Sequence, residues 1–328
     1  MKVERRRQRH HSTQRALSAA SAKARAIAKS RSILLRGLLA AALLSPHLSA
    51  NATAPPQTAA IASESVPASL LAVPPRSWVV DTVARELDAL HHKNSYLRYR
   101  MHIVDAKGDQ VRDVIESRDG TVARLLYRDG KPLTAEQDKN ERQRLNDMLA
   151  NPDAFAKHVK NDDSGRKIAD SLMRLMPDAM IYTYVPGQPQ TGKNPGMTEI
   201  VIDYAPNPMF HPPTTTAAAL TGLKGRAWID AKTKQLVRME GNIFQGINFG
   251  WGMLAHIYPG GTLILELAEA GNGRWIFTHF TERITVRALM VKTLNIKTDI
   301  DASAFQTVPE MSYQDAIHLL LNTPLPTR

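Results

Sequence analysis

Hydrophobic positions recur at two different periods in this chain, and the change of period divides it. From Trp78 to about Asn94, Val79 or Val80, Val83, Leu87 and Leu90 fall at helical spacing, with Asp81, Arg85, Glu86 and Asp88 on the other face. That pattern predicts an amphipathic helix. Three alternating runs follow, SYLRYRMHIVD, QVRDVIESR and TVARLLYR, separated by Lys107-Gly108-Asp109 and by Asp119-Gly120. Turn residues at such short intervals leave no room for crossover helices, so these runs predict an antiparallel meander. Residues 134–176 return to helical spacing, with Leu145, Met148, Leu149, Phe155, Val159, Ile168, Leu172, Met173, Leu175 and Met176 as the apolar stripe. Two or three helices are expected there, broken near Asn151-Pro152 and in the Asp162-Asp163-Ser164-Gly165 stretch.

Alternation then resumes and persists. AMIYTYV and MTEIVIDYA flank a glycine-rich stretch, GRAWID and QLVRMEGNIF flank Ala231-Lys232-Thr233-Lys234, and AHIY and TLILELAEA flank Pro259-Gly260-Gly261. RWIFTHFTERITV, a run at about 288–300 and a short helix, SYQDAIHLLL, complete the chain. The total is about ten or eleven antiparallel strands, one helical insertion, helices at both ends and no βαβ alternation. The expected class is α+β: a curled antiparallel sheet, left as a half-open barrel, with an apolar concavity.

Composition changes the picture mainly at the N-terminus. The chain has 328 residues, 43% of them hydrophobic, and a formal charge of +11. Eleven Lys and Arg and one acid lie in residues 1–50, leaving 31 basic and 30 acidic residues in the remainder. The body is close to neutral, which argues against a nucleic-acid partner bound through a basic face. The basic stretch ends at Arg36 and runs into the apolar GLLAAALLS, then Pro46 and the small residues of SANATA. This is the order of a secretory signal, with an apolar part too short to span a bilayer permanently. The domain plan is a signal over 1–52, cleaved after Ala52 with Ala50 and Ala54 as alternatives, an Ala/Pro/Ser-rich linker over 53–75, and one domain over 76–328. An uncleaved anchor or a cytosolic basic arm are the other readings of the first segment. With no cysteine there is neither a disulfide nor an N-terminal lipid attachment, so a periplasmic location follows most simply. Membrane contact is expected only through the signal or transiently, and the sequence does not indicate an oligomeric state.

Candidate chemistry is sparse. GQPQTGKN at 187–194 matches a phosphate-binding loop except at Asn194, which stands where a magnesium-binding hydroxyl is required. Pro189 removes an amide from the cradle, and a strand follows where a helix N-terminus is needed, so the stretch reads as a hairpin loop. No nucleophile elbow or local metal-ligand spacing occurs, and the eight histidines beyond the signal are scattered. No catalytic residue, metal or cofactor is assigned. FGWG at 249–252 reads as a bend among strands. APNPMFHPP is an extended strap, after which Thr214, Thr215 and Thr216 offer an N-cap to AAALTGL.

GRAWIDAKTKQLVRMEG, residues 225–241, reads as a tight hairpin in which Asp230 and Thr233 bond local amides and Lys232 and Lys234 point to water. Its pattern W-I-D-x-x-T-x-x-L-V-R-M-E resembles a hairpin of the exported lipoprotein-carrier class, the fold of LolA, LolB and RseB. That resemblance implies an antiparallel half-barrel with an apolar mouth covered by helices. Asp119-Gly120, RDGKPLTAEQ, PNPMFHPP, FGWGML, Pro259-Gly260-Gly261-Thr262 and ALMVKT, in that order, also resemble an exported family of the acidobacterial group. The large helical insertion departs from the carriers, and no ligand contact of theirs transfers to this chain.

The function expected is a non-enzymatic periplasmic protein holding a lipid, an acylated protein or another apolar ligand on the concave face of the sheet. Trp228, Phe249, Trp251, Trp275 and Phe277 are candidate wall residues, and Leu172, Met173 and Met176 candidate lid residues. The alternative is an envelope structural or signalling protein that binds another protein and has a filled core. A hydrolase with a dispersed site would require a histidine and carboxylate cluster in the concavity.

Overall fold

The computed structural model describes residues 68–92, 95–186, 198–250, 254–269, 273–289 and 291–326. The expected signal segment and the first part of the expected linker lie outside these residues, as does 187–194, the stretch expected to be a hairpin loop. The remainder of the linker, however, is structured. Ala68–Leu71 forms a helical turn, α1, and Pro75–His91 forms α2, entered through Pro75, whose missing amide leaves no bond unmade in a first turn. Leu70 and Leu71 pack beside Trp78 and Val79, which explains why the expected linker ends before residue 75.

The strands are β1 (Tyr96–Asp105), β2 (Gly108–Ser117), β3 (Gly120–Arg128), β4 (Lys131–Pro132), β5 (Met180–Tyr184), β6 (Glu199–Pro206), β7 (Leu223–Asp230), β8 (Leu236–Ile243), β9 (Ile247–Phe249), β10 (Ala255–Ile257), β11 (Thr262–Glu269), β12 (Trp275–Ala288) and β13 (Lys292–Val308). Helices α3 (Ala135–Ala150) and α4 (Pro152–Ala179) sit between β4 and β5, a 3-10 turn covers Thr216–Thr221, and α5 (Tyr313–Asn322) follows β13. One antiparallel sheet runs β4-β3-β2-β1-β13-β12-β11-β8-β7-β6-β5, with β10 attached to β12 and β9 to β10. Its end strands do not meet, so the curled sheet stays open. Thirteen strands exceed the expected ten or eleven because β4 and β9, of two and three residues, are too short to show alternation, whereas β10 is the expected AHIY run.

The two faces of the sheet differ sharply. Along β12, Phe280, Glu282, Ile284, Val286 and Ala288 are buried, while the intervening His279, Thr281, Arg283, Thr285 and Arg287 are partly exposed. On the buried side, α2 lays Trp78 and Val79 on Ile200, Ile202 and Ile229, and α4 lays Leu172 against Tyr204 and Leu220. This settles the phase of α2: Val79 is buried, and Val80 is 39% exposed. Helix α4 is continuous over 28 residues, so the expected break at Asp162–Gly165 does not occur. Pairs at helical spacing, His158 with Asp162 and Asp163 with Arg166, hold that stretch helical, and Gly165 is buried.

The edge at β3 is closed by side chains of α3. Glu141 accepts from the Leu125 amide (2.8 Å), and Arg144 donates to the Ala123 carbonyl (2.6 Å). Between them Arg124, 1% exposed, donates to the carbonyls of Leu320 (2.6 Å) and Thr323 (2.7 Å) and to Asp138 (2.8 Å). A cation there neutralises the C-terminal carbonyls of α5 and ties it to β3 and α3.

Gly225 and Gly241 face each other on β7 and β8, and the Tyr204 hydroxyl bonds the Glu240 carbonyl (2.7 Å) beside them. A Cβ at Gly225 would sit inside contact distance of that carbonyl oxygen and 2.7 Å from the Tyr204 hydroxyl. We therefore expect Gly225→Ala to destabilise the fold by roughly 2 kcal/mol or more, since overpacking here must move backbone. Urea unfolding that leaves the midpoint within error of the wild type would contradict this.

Candidate functional site

Of the expected wall residues, the structure brings Trp275 and Phe277 together. Both are buried in a cluster with Leu97, Tyr99, Leu265, Phe280, Ile300 and Phe305, where Tyr99 and Phe305 stack at 5.4 Å. Phe249 lies in a separate cluster with Ile247, Ile257 and Val286. Trp228 is only partly buried at the margin of the first cluster, with the Arg238 guanidinium 5.6 Å from its ring centre. Trp251 lies outside the described residues. In α4, Leu172 is buried against Ala179, Met180, Tyr204 and Leu220, Met176 packs partly on the same group, and Met173 is half-buried.

Three carboxyls are buried without full hydrogen bonding. Glu282 belongs to the buried side of β12, between Phe280 and Ile284 and opposite Thr298; it is 4% exposed, and one of its oxygens has no partner. Burial pushes it up to about 7. Glu86 on α2 is raised to about 7 by burial, although the Leu236 amide offsets part of that rise. Glu199 is raised to about 7 by burial and by its registered neighbour Asp230, and neither of its oxygens is partnered. Alternation hides such positions: Glu282 falls in RWIFTHFTERITV on the phase of the apolar residues, and that phase is the one sequence signal of its burial.

The opposite face carries a cross-strand chain of charge. Asp203 pairs with Arg226 (2.7 Å), Arg238 pairs with Glu240 (2.6 Å) and contacts Glu266, and Glu266 lies opposite His279. His279 bonds Asp301 (2.7 Å), and His102, opposite Asp301, bonds Asp109 (2.8 Å). Each is a modest interaction at partial exposure, and together they saturate one another. One trio has the outline of a nucleophilic triad: the Thr281 hydroxyl lies 3.0 Å from His279 Nε2, and His279 Nδ1 lies 2.7 Å from Asp301. The hydroxyl donates instead to Asp299 (2.9 Å), and the residues around it are registered with β11 and β13 on both sides. Amides committed to ladders do not form an oxyanion hole. Among the described residues, no group of three or more His, Asp or Glu side chains is arranged to hold a metal ion.

Beside this chain lies a groove of about 600 Å³ across β5, β6, β7, β8 and β11. The Gly225–Gly241 pair forms its floor, Ile181, Ala205, Leu263 and Ile264 supply apolar lining, and Lys224, Arg226, Asp203 and Glu240 supply charge. Ile181 is 50% exposed on the edge strand β5. Sequence reasoning missed the groove because its lining comes from five strands, a few residues each.

The turn of the Trp228 hairpin matches its expected chemistry in part. Asp230 accepts from both the amide and the hydroxyl of Thr233, at 2.6 Å each. Lys232 is exposed as expected, but Lys234 is not directed to water: its ammonium stands 3.2 Å from the ring centre of Trp78. A left-handed backbone at Lys234, φ 64°, aims the side chain onto α2, where the ring's negative face receives it.

The chain is thus an α+β protein built on an open, curled antiparallel sheet, with α2 and α4 packed on one side over β5 to β8 and α5 on the other over β2 and β3. Among solved structures it is similar to a DUF1329 family protein from Desulfovibrio piger, at 10% identity over 76% of this chain and 100% of that one, with a TM-score of 0.28. At that TM-score no function passes from one chain to the other. No protein-family model and no curated protein matches the chain. Among the described residues no helix is long and apolar enough to cross a membrane.

The buried carboxyls set a pH dependence. Between pH 4.5 and 7 the unfolded chain releases these protons while the native state keeps them, so native stability falls as pH rises through that window. Glu282→Gln is expected to gain roughly 1–3 kcal/mol over the parent at pH 8, each tenfold change in proton affinity being worth about 1.4 kcal/mol, and to gain little at pH 4.5. Thermal unfolding across that range, showing the same difference at both ends, would remove burial of a charge as the cause.

Proposed function

We propose that this chain is an exported, non-enzymatic binding protein that holds a lipid, an acyl chain or another apolar ligand with a polar end. The ligand occupies the groove across β5, β6, β7, β8 and β11. The observation that carries this reading is the groove itself: about 600 Å³, apolar along Ile181, Ala205, Leu263 and Ile264, and edged by charge, on the side of the sheet opposite α2 and α4. That volume falls within the range of small-molecule sites. Apolar lining receives the ligand's body, and the Asp203–Arg226 pair with Lys224 and Glu240 meets its polar end. Export rests on the basic-then-apolar order of residues 1–52, and a non-enzymatic role on the absence of a local catalytic motif in the sequence.

A second reading is favoured by the packed cluster of Trp275, Phe277, Phe280 and Phe305: an envelope protein with a filled core that engages another protein. Mass spectrometry after mild isolation separates the two. An apolar molecule is expected to co-purify with the wild type, and Ala205→Trp, which fills the groove from an exposed position, is expected to lower its occupancy about tenfold while leaving the melting temperature unchanged. Wild-type protein free of any such molecule, even after exposure to an envelope lipid extract, would leave the protein-binding reading in its place.

A further inference from the structure

One end of the molecule has a composition unlike the rest. The stretch 241–265 contains no charged residue other than His256 if histidine is counted, and 283–298 contains Arg283, Arg287, Lys292 and Lys297 with no acid. The tertiary structure brings these stretches together. Strand β10 pairs with both β9 and the last residues of β12, Ala255 opposite Ala288, and the Leu289 amide donates to the Leu254 carbonyl (3.0 Å). At the joined tip Val291 is 84% exposed and Leu254 47% exposed. Leu289, held in a left-handed conformation at φ 49°, turns the chain between them. Lys292 and Lys297 are exposed on the same hairpin, and Arg287, lying 6.0 Å from the Tyr258 ring, is half-buried. Arg283 belongs to its pair with Asp299 and takes no part in the collar.

Large apolar side chains left in water at the extremity of a hairpin are unfavourable unless something covers them. Here they are exposed together at the tip, and the charge of their collar is of one sign, which complements an anionic surface. We propose that this tip docks the protein onto an anionic lipid bilayer: Leu254, Leu289 and Val291 enter the interface, and Arg287, Lys292 and Lys297 face the headgroups. Apolar burial and headgroup attraction act together in such contacts, and the attraction fades as salt screens it. Docking through the tip does not depend on a ligand in the groove, which lies elsewhere on the surface.

The absence of cysteine makes the test direct, because Val291→Cys in the full chain provides one labelling position. Val104→Cys, at a residue 39% exposed and opposite Asp299, provides the control. It lies eight residues down the β13 register, roughly 26 Å from the tip at strand spacing. Residues 1–52 are present in both variants and contribute equally. With phosphatidylglycerol-rich vesicles, an environment-sensitive dye at 291 is expected to shift to the blue, the shift weakening with salt, while the dye at 104 stays unchanged. Lys292→Glu combined with Lys297→Glu is expected to lower partition about tenfold or more. The proposal is overturned by an unchanged emission at 291, by an equal response at 104, or by an equal response on neutral phosphatidylcholine vesicles. It is overturned as well by a blue shift that needs no vesicles and grows with protein concentration, which would show a second copy covering the tip.

Discussion

A sheet that curls without closing leaves two edges and two faces to be dealt with, and the helices here are too few to deal with all of them. Helix α3 covers the β3 edge, where Glu141 and Arg144 take the ladder positions of a missing strand and Arg124 fastens α5 beside it. Helices α2 and α4 cover one face over β5 to β8. Helix α5 covers the other face only over Ile115 and Val122 of β2 and β3, so the rest of that face and the β5 edge must make their own terms with water.

That division explains where chemistry is found. The open face satisfies its charges across strands, from Asp203 through Arg238 and His279 to Asp109, so its charged side chains are held by one another. What it does possess is shape: a groove floored by the backbone of the glycine pair of β7 and β8 and edged by the side chains around it. The covered face shows the reverse imbalance. Its aromatic residues pack on one another, while Glu282 and Glu86 are held there at a penalty that grows toward neutral pH.

Much of this architecture was legible in the residues. Asp230 and Thr233 announced their turn, and Thr214 its bond to the Ala217 amide. The structure adds a capping box of Thr134 with Gln137 at the start of the insertion, which the apolar spacing alone did not bring out. The misreadings share a cause. Asp162–Gly165 looked like a breaker because local propensity was weighed without the neighbours that bury Gly165, and Lys234 looked solvated because nothing nearby in sequence places Trp78 under it. The candidate site was less legible still. Trp228, Phe249, Trp275 and Phe277 are all large and apolar, and which of them share a cluster depends on strand order, not on residue type.

Period and turn chemistry are local properties, so the sequence alone determined that the chain would be an antiparallel α+β protein, where its hairpins turn, and which residues of each strand share a side. Strand order, the choice of which side the helices cover, and the register between distant strands are settled only when all the apolar faces compete for the same burial. The tertiary structure therefore decided the rest. It placed Ile181, Ala205 and Ile264 along one groove, set Glu282 on the covered side, and joined Leu254 to Leu289 at a tip that neither stretch could form by itself.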